Sequence, residues 1–479
     1  MADATLPKLD IRLYFASTCL FLEISRMNYI LLAALVVEVA VMSGLENRLT
    51  GTRITPFGVL AFPYTIVVLL AFALGPLLDF VPLNTGSLTV WMWGLFLVWM
   101  MGYLLARIVL GGPLFRGTAR GFRAQFQGEV FSTKMSMSLA TLSIPILILG
   151  VFLSVRAVGG WSGITSPEFK AAHAHGLHAD ALLLCEPLFI LLVGTAKRKS
   201  RFQIALAGIL MVFFLIGQVK GRVFQDLIGG FLYRVMRGRS FVSVKSVGIL
   251  MFCVFFVFCS IYLGARWVWD PGAVSDSGTY VFIARHFSSY LLSGVLGFSE
   301  AYRTGTSDVG GGSSTEIFRP FVDIYRRLFD AGHEVGLGST MEKGMAIDLT
   351  DDSVDSSTNV YTLFGTLYLY LGALGFAAYV TVMALLCYAL FLAAGWTRNE
   401  WVLVLYCYIG AQLLFGYFEF YFWHVDTYKI AICTLTFAAF SSSFKKSFQP
   451  RFSVDTSYAS YFKKRLAILE MISLPKRRK

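Results

Sequence analysis

The chain has 479 residues and a formal net charge of +12, yet 56% of its residues are hydrophobic and only 15% are charged. Its mean hydropathy is +0.65, and long apolar runs such as TVWMWGLFLVWMMGYLLARIVL, which begins at Thr89, recur along it. These values exclude a soluble globular enzyme and indicate a polytopic membrane protein. The seven cysteines include no CxxC pair and lie in or beside apolar segments, so we expect neither disulfides nor zinc.

The basic residues are gathered in a few short segments. They concentrate at residues 116–126, 197–201, 233–240 and 444–446 and in the C-terminal tail. The positive-inside rule places these five segments in the cytoplasm, beside anionic lipid. The high net charge is therefore a topology signal, and we expect no nucleic-acid partner.

Between these basic segments the apolar runs predict an all-α protein that crosses the membrane eleven or twelve times. The predicted spans are residues 27–45, 57–76, 89–110, 137–157, 177–195, 202–217, 223–237, 246–264, 371–394, 401–419 and 427–443. With the C-terminus inside, this odd count places the N-terminus outside unless residues 11–25 form a short twelfth span. An amphipathic helix in the membrane interface suits that segment equally well, because a crossing needs about 20 residues.

These spans divide the chain into four regions. Residues 1–264 and 371–443 form two groups of transmembrane helices, and residues 444–479 form a basic cytoplasmic tail. Residues 265–370 form one large polar loop with short helices. From Arg266 to Thr358 this loop carries thirteen acidic residues against seven basic ones. That balance is the opposite of the cytoplasmic segments, so the loop belongs on the outer face.

Two cations interrupt the apolar stretch FFLIGQVKGRVFQDLIGG at residues 213–230. The predicted topology places Lys220 and Arg222 at the outer membrane boundary, beside Gly217 and Gly221, where glycine allows a sharp turn or the close approach of a ligand. One interpretation is an anion site for phosphate groups at headgroup depth. The other is that both side chains extend to ordinary lipid phosphates and only anchor the helix.

Three further outer segments carry candidate groups. Arg285 and His286 open an apolar, aromatic segment that returns toward the membrane and ends with Glu300 and Arg303. It is either a site or a surface helix whose charges face water. The second segment, residues 357–375, combines Asn359 and the aromatic Tyr361 with hydroxyl groups that suit stacking on sugars or an ordinary aromatic belt. The third, residues 416–429, holds Glu419, His424 and Asp426 among aromatic residues.

In this third segment, a carboxylate near the end of a span is energetically costly unless it has a partner. Its carboxylates either belong to a functional site or pair structurally with a cation such as Arg222.

The histidine-rich stretch HAHGLH at residues 173–178 resembles a metal site at first sight. Its offsets of two and five residues do not place three ligands on one helical or strand face, so we predict no metal site there.

The order of these features resembles the O-antigen polymerase (Wzy) family. The shared features are many spans, one long outer loop, the step from Gly221 to Arg222, a YxxxG segment from Tyr290 to Gly294, and NVYTLFGTLYLYLGALG at residues 359–375. In the last segment the matching positions are Asn359, Val360, Tyr361, Thr362, Leu367, Tyr368, Gly372 and Gly375. Members often have Asp-Phe where this chain has Tyr370 and Leu371, so no acidic residue is carried over there.

The resemblance implies a C-type membrane glycosyltransferase in the bacterial inner membrane, with no metal and no other cofactor. Such an enzyme lengthens a glycan on undecaprenyl pyrophosphate at the periplasmic face. Its expected partners are the lipid-linked donor and acceptor glycans, the bilayer and a chain-length regulator protein.

On this interpretation the outer residues take the following roles. Four cations contact the pyrophosphate: Lys220, Arg222, Arg285 and Arg303. His286 or Glu300 accepts the proton of the acceptor hydroxyl, and Asn359 and Tyr361 contact sugar. Glu419 and His424 are further substrate-binding candidates. Two rival functions stay open, a ligase that uses the same donor and a flippase or other transporter of lipid-linked oligosaccharide, which would bury its charges within its spans.

Overall fold

The computed structural model describes residues 11–78, 80–109, 129–164, 166–197, 200–217, 220–239, 277–305, 314–329, 347–348, 357–358 and 360–448, with isolated positions between 248 and 259. Nearly all of these residues are helical. The only strands among them are a two-residue antiparallel pair, β1 (Ile347–Asp348) and β2 (Ser357–Thr358). The predicted all-α class is confirmed.

The described helices follow one another without a central sheet. In chain order they are α1 (Ile11–Thr50), α2 (Pro56–Leu74), α3 (Thr85–Leu104), α4 (Glu129–Ala157), α5 (Pro167–His173), α6 (Leu177–Thr195), α7 (Arg201–Ile216), α8 (Lys220–Met236), α9 (Ser277–Thr304), α10 (Arg319–Phe329), α11 (Leu363–Thr397), α12 (Glu400–Leu414) and α13 (Val425–Phe448). Short 3-10 turns at Pro76–Leu78, Trp161–Gly163, Ser314–Phe318, Phe415–Tyr417 and Tyr421–Trp423 join some of them. A compact unit covers Met1–Ala438, and a second unit covers Ala439–Lys479.

Seven helical segments of the described residues are long and apolar enough to cross a membrane. They are Met27–Thr50, Pro56–Leu74, Thr85–Arg107, Glu129–Ala157, Leu177–Thr195, Leu363–Thr397 and Glu400–Tyr417. The chain is therefore a multi-pass membrane protein. Helix α7 is apolar but shorter, and the predicted spans at 223–237 and 427–443 are helical in α8 and α13. The predicted span at 246–264 falls outside the described residues apart from isolated positions.

The first helix rules out a short separate span at residues 11–25. Residues 11–25 continue into the predicted first span as part of α1, a single helix of 40 residues. A separate twelfth span would need the chain to reverse before residue 27, and an unbroken helix allows no reversal.

The end of α8, the start of α4 and the end of α6 lie together at one end of the bundle, called here the basic end. Arg237 at the end of α8 pairs with Glu129 at the start of α4 at 2.9 Å, and Arg239 pairs with the same carboxylate. Arg234 donates to the carbonyl of Ala196, just beyond α6, at 2.8 Å. Cations that bind the last carbonyls of a helix satisfy groups that the helix itself leaves free.

The opposite end, called here the loop end, receives the outer segments. Helix α9 enters the bundle beside α2 and α3, and the carbonyl of Gly294 accepts a hydrogen bond from the backbone of Thr362 at 3.3 Å. Helix α10 reaches the start of α13, where the rings of Phe321 and Tyr428 lie 4.8 Å apart. Helix α11 is kinked at Gly372, whose φ of 64° is one that L side chains rarely adopt.

Helices α6 and α8 run side by side because small residues face large ones between them. A Cβ on Gly230 would lie 2.7 Å from the Val193 side chain, and one on Gly229 would lie 2.9 Å from Ile190. On the other helix, Gly194 faces the ring of Tyr233 in the same way. Glycine brings helix backbones close together in membrane bundles. This close approach sets the distance between the charged groups that the two helices carry.

Candidate functional site

Arg222 lies in the first turn of α8 and contacts two buried carboxylates from other helices. It donates to the Asp426 carboxylate at the start of α13, and its Nη1 lies 3.7 Å from Oε1 of Glu186 in the middle of α6. The Arg222 side chain is 25% exposed, whereas those of Glu186 and Asp426 are 2% and 4% exposed. The Arg222 side chain therefore contacts protein carboxylates and does not serve only as a lipid anchor. The pairing of Arg222 with Asp426, which the sequence left open, is present.

A second acidic residue on α8 completes the group. Arg222, Gln225 and Asp226 share one face of the helix, because residues three and four apart lie above one another. Asp226 is fully buried, and neither of its carboxyl oxygens has a hydrogen-bond partner among the described residues. The Nε2 atom of Gln225 and the Oε2 atom of Glu186 are also buried and unpartnered within this part of the chain.

The loop end of α12 and the start of α13 close the group on the other side. Gln412 Nε2 donates to the Thr427 hydroxyl at 2.8 Å, and Tyr408 interacts electrostatically with Glu186, Arg222 and Asp226. Lys429 Nζ lies 3.7 Å from Oδ1 of Asp426. The name carboxylate group is used below for Glu186, Asp226 and Asp426 with the cations Arg222 and Lys429.

Glu300 and Arg303 form a second pair, at the carboxyl end of α9. Arg303 Nε donates to Glu300 Oε2 at 2.8 Å, and the Arg303 side chain is 57% exposed. The neighbouring Ser299 hydroxyl accepts from the backbone of Asn84 at 2.7 Å, which fixes this turn of α9 against the start of α3. The ion pair thus stands on a rigid support with its cation accessible from outside.

Tyr361 immediately precedes Thr362, whose backbone bonds to Gly294 of α9, and it is buried, with 5% of its surface exposed. Its hydroxyl has no hydrogen-bond partner in the described part of the chain. Burial raises the pKa of the Tyr361 hydroxyl, with a smaller contribution from Tyr370. A stacking contact between Tyr361 and a sugar would require this ring to become accessible. In the last turns of α9, beside Glu300 and Arg303, the ring of Tyr302 lies 5.8 Å from that of Tyr368.

Glu419 and His424 form a third pair in the turn before α13. His424 Nε2 lies 3.6 Å from Glu419 Oε1 and accepts a hydrogen bond from Trp423 Nε1 at 2.8 Å. An indole nitrogen only donates, so this contact leaves no proton on Nε2 of His424. The Nε2 lone pair of His424 is therefore already used.

The predicted site residues therefore separate into distinct places. Arg222 pairs with Asp426 and Glu186, Arg303 pairs with Glu300, and His424 lies beside Glu419. Three predicted side chains, Lys220, Arg285 and His286, lie outside the described part of the structure although their helices are described, and Asn359 lies outside it altogether.

Two buried carboxylates were missed by the sequence reasoning, Glu186 and Asp226. The sequence does show an acidic residue inside each of two apolar segments. Such residues are energetically costly within a membrane span and often belong to functional sites.

One comparison with known proteins assigns the chain to a family. Residues 79–447 match DUF6337, a family of unknown function, and so cover more than half of the chain. The chain belongs to this family. The matched range contains the whole carboxylate group, the Glu300–Arg303 ion pair and the Glu419–His424 contact. No curated protein and no solved structure matches the chain, so its chemistry has to be argued from its own residues.

His173 and His178 from the histidine-rich stretch lie together beside α4. Their ring centroids are 5.0 Å apart, and His173 Nδ1 lies 3.2 Å from the Ser154 hydroxyl. Within the described residues, no three His, Cys, Asp or Glu side chains are grouped so that they could hold a metal ion. The pair fills space between α4, α5 and α6, where a Cβ on Gly150 would collide with the His178 ring.

Acidification is expected to destabilise the protein through His173. Burial lowers the pKa of His173 from 6.5 to about 4, with a smaller contribution from His178. As the pH falls below 6.5, His173 is protonated in the unfolded chain but stays neutral in the folded protein. The stability that the neutral, buried His173 contributes is therefore complete above pH 6.5 and is lost as the pH falls toward 4. The loss amounts to about 3 kcal/mol. Thermal unfolding in detergent across this range measures it.

Two variants isolate the His173 contribution from that of other titrating groups. His173→Phe removes the titrating ring and should flatten the difference in melting temperature between neutral and acidic pH. His175→Ala, at an exposed position two residues away, should leave the profile of the wild type unchanged. A His173→Phe protein with the wild-type pH profile would contradict the prediction.

Proposed function

We propose that the protein polymerises undecaprenyl-pyrophosphate-linked oligosaccharide repeat units into O-antigen or a related surface polysaccharide. The reaction takes place at the periplasmic face of the bacterial inner membrane. The observation that carries this proposal is Arg222, a partly exposed guanidinium in the first turn of α8, held by carboxylates from two other helices. The resemblance of residues 200–440 to the Wzy family supplies the substrate class.

The chemistry requires positive charge more than any other feature. A hydroxyl oxygen of the incoming repeat unit attacks the anomeric carbon of the growing chain. The bond from that carbon to the pyrophosphate oxygen breaks with its electron pair, and the hydroxyl proton passes to a base. Negative charge therefore develops on the leaving undecaprenyl pyrophosphate, where a fixed guanidinium is most effective. Asp426 and Glu186 hold the Arg222 guanidinium in one orientation, which removes the cost of ordering it during the reaction.

The other predicted residues fit around this step. Arg303 is the accessible cation of a pair whose carboxylate, Glu300, is a candidate base for the acceptor hydroxyl. Loss of a general base lowers the rate by about 10² to 10⁴. His286 is the second candidate base. Lys220 and Arg285 are further cations for the pyrophosphate, Asn359 and Tyr361 are sugar contacts, and a chain-length regulator is a further partner.

A transporter of lipid-linked oligosaccharide is the second candidate function. It is favoured by Glu186 and Asp226, which are buried inside the helix bundle, since intramembrane carboxylates often belong to proton relays. The glycan pattern of a deletion strain separates the two functions. A single repeat unit on each lipid core supports the polymerase. Lipid cores with no repeat unit would point to a transporter or a ligase and overturn the proposal.

The periplasmic location is tested by labelling single cysteines. Cysteines at Ser314, exposed before α10, and at Ser200, between α6 and α7, are introduced into a cysteine-free background. In intact spheroplasts an impermeant maleimide should label position 314 and spare position 200. Permeabilised cells, in which both positions should react, provide the control. Preferential labelling of position 200 would place the loop end in the cytoplasm and contradict the proposed orientation.

Chelation is expected to leave polymerisation intact. The proposed mechanism uses arginine and lysine where metal-dependent glycosyltransferases use a divalent ion on the leaving pyrophosphate. The purified protein should therefore form the same glycan ladder with and without EDTA. A metal-dependent glycosyltransferase assayed in the same buffer confirms that chelation is complete. Activity lost in EDTA and restored by a divalent ion would show that the mechanism is wrong.

A further inference from the structure

The carboxylate group holds more acidic than basic side chains. Glu186, Asp226 and Asp426 face the two cations Arg222 and Lys429. If all five were ionised, one negative charge would be left in excess, and the three carboxylates that carry it are almost entirely buried. Burying an uncompensated charge costs far more than burying a neutral carboxyl group. One bound proton would make the five side chains neutral.

The geometry identifies where this proton belongs. Asp426 is the carboxylate that accepts from Arg222 and lies near Lys429, so its negative charge is compensated. Glu186 is near Arg222 on one oxygen only, and its Oε2 is buried without a hydrogen-bond partner in the described chain. Asp226 has both oxygens buried and unpartnered there. The uncompensated charge therefore falls on Glu186 and Asp226.

The surroundings of these two carboxyls offer no other cation within the described residues. Helix α6 contributes Cys185, Glu186 and the solvent-exposed Asp180, which acts on the same Cys433 side chain as Lys429, and α8 contributes Arg222. Helix α12 contributes Tyr408, which is neutral at physiological pH. The start of α13 contributes Asp426 and Lys429, which pair with each other. Two buried like charges that act on each other and share the one guanidinium of Arg222 are not both stable, so the pair retains a proton.

We propose that Glu186 and Asp226 share one proton, which makes the space between α6 and α8 a proton-binding site. Binding of the proton removes one negative charge beside Arg222 and so weakens the hold on its guanidinium. Release of the proton strengthens that hold. The state of this site therefore decides how readily Arg222 can turn to an external anion. The inference rests on the charges and contacts of the group and does not require the proposed polymerase activity.

Infrared spectroscopy of the purified full-length protein tests the proposal. At neutral pH the wild type should show the carbonyl band of a protonated carboxylic acid that is absent from each variant, read as the difference spectrum because Glu46 and Glu400 are also buried carboxyls. This difference band should disappear once on alkaline titration. Either Asp226→Asn or Glu186→Gln should remove this band, because two carboxylates then face the two cations Arg222 and Lys429 and both can ionise. Both substitutions preserve shape and remove charge, and size-exclusion chromatography identifies folded protein.

The control is Glu129→Gln, which removes a carboxylate that is already paired with Arg237 and Arg239 at the basic end. It should leave the band unchanged. Loss of the band in only one of the two variants would assign the proton to a single residue and overturn the shared site. An unchanged spectrum in both variants would show two ionised carboxylates and overturn it as well. If one variant does not fold, the other variant and the wild-type titration decide.

Discussion

Arg222→Ala is expected to destabilise the protein and to abolish most of its polymerising activity. The substitution leaves Asp426 and Glu186 buried without the guanidinium that compensates them. Removing one partner of a buried ion pair costs about 3 to 5 kcal/mol. If Arg222 also binds the leaving pyrophosphate, elongation should slow at least tenfold, which corresponds to about 1.4 kcal/mol in the transition state. Thermal unfolding and the length of the glycan ladder measure the two effects.

A second substitution separates these effects. In the double variant Arg222→Ala/Asp426→Asn the unpaired charge at the start of α13 is gone, so much of the lost stability should return. Activity should stay low, because the cation for the pyrophosphate is still missing. Arg222→Lys should restore part of the activity, since an ammonium group keeps the charge but lacks the planar fork of the guanidinium. A double variant with both stability and full activity would limit Arg222 to a structural role.

Gly294→Ala is expected to be the most damaging small substitution in α9. A Cβ at this position would lie 2.6 Å from the carbonyl oxygen of Tyr417 and would also collide with that of Phe418. Both obstacles are backbone atoms, which cannot turn aside as a flexible side chain can. Overpacking of this kind costs about 1 to 3 kcal/mol, and more where nothing can shift. The expected result is a lower melting temperature and a weaker glycan ladder.

The matched control is Gly208→Ala in α7. This glycine is also helical, but no atom outside its own helix lies within 4 Å of an added Cβ. Alanine should therefore be neutral there or stabilise the helix by up to about 1 kcal/mol. Equal melting temperatures for Gly294→Ala and Gly208→Ala would contradict the close approach of α9 to the turn at residues 417–418.

Hydrophobic runs bounded by basic residues predicted several helices almost to the residue. The predicted span 177–195 is α6, and the predicted span 202–217 differs from α7 by one residue at each end. Both segments are predominantly apolar and end beside cations, so the hydrophobic run and the basic residues at its end indicate the same boundaries. The positions of α6 and α7 therefore follow from the local amino-acid composition of each segment.

Other parts depended on tertiary contacts that no local pattern contains. Helix α11 begins at Leu363 and not at residue 371, because its aromatic first turns pack inside the bundle before the kink at Gly372. Arg222 and Asp426 are 204 residues apart in the chain. Their pairing and the position of Glu186 follow from the packing of α6, α8 and α13. The cation was visible in the sequence, whereas the carboxylates that compensate it were not.

Reconstituted elongation tests the central claim most directly. The purified protein in liposomes is given undecaprenyl-pyrophosphate-linked repeat units and no other enzyme. The account predicts a ladder of longer glycans, with one undecaprenyl pyrophosphate released for each repeat unit added, and a loss of that ladder in Arg222→Ala/Asp426→Asn. Glycans of unchanged length in the presence of folded wild-type protein, whether or not they cross the membrane, would contradict it.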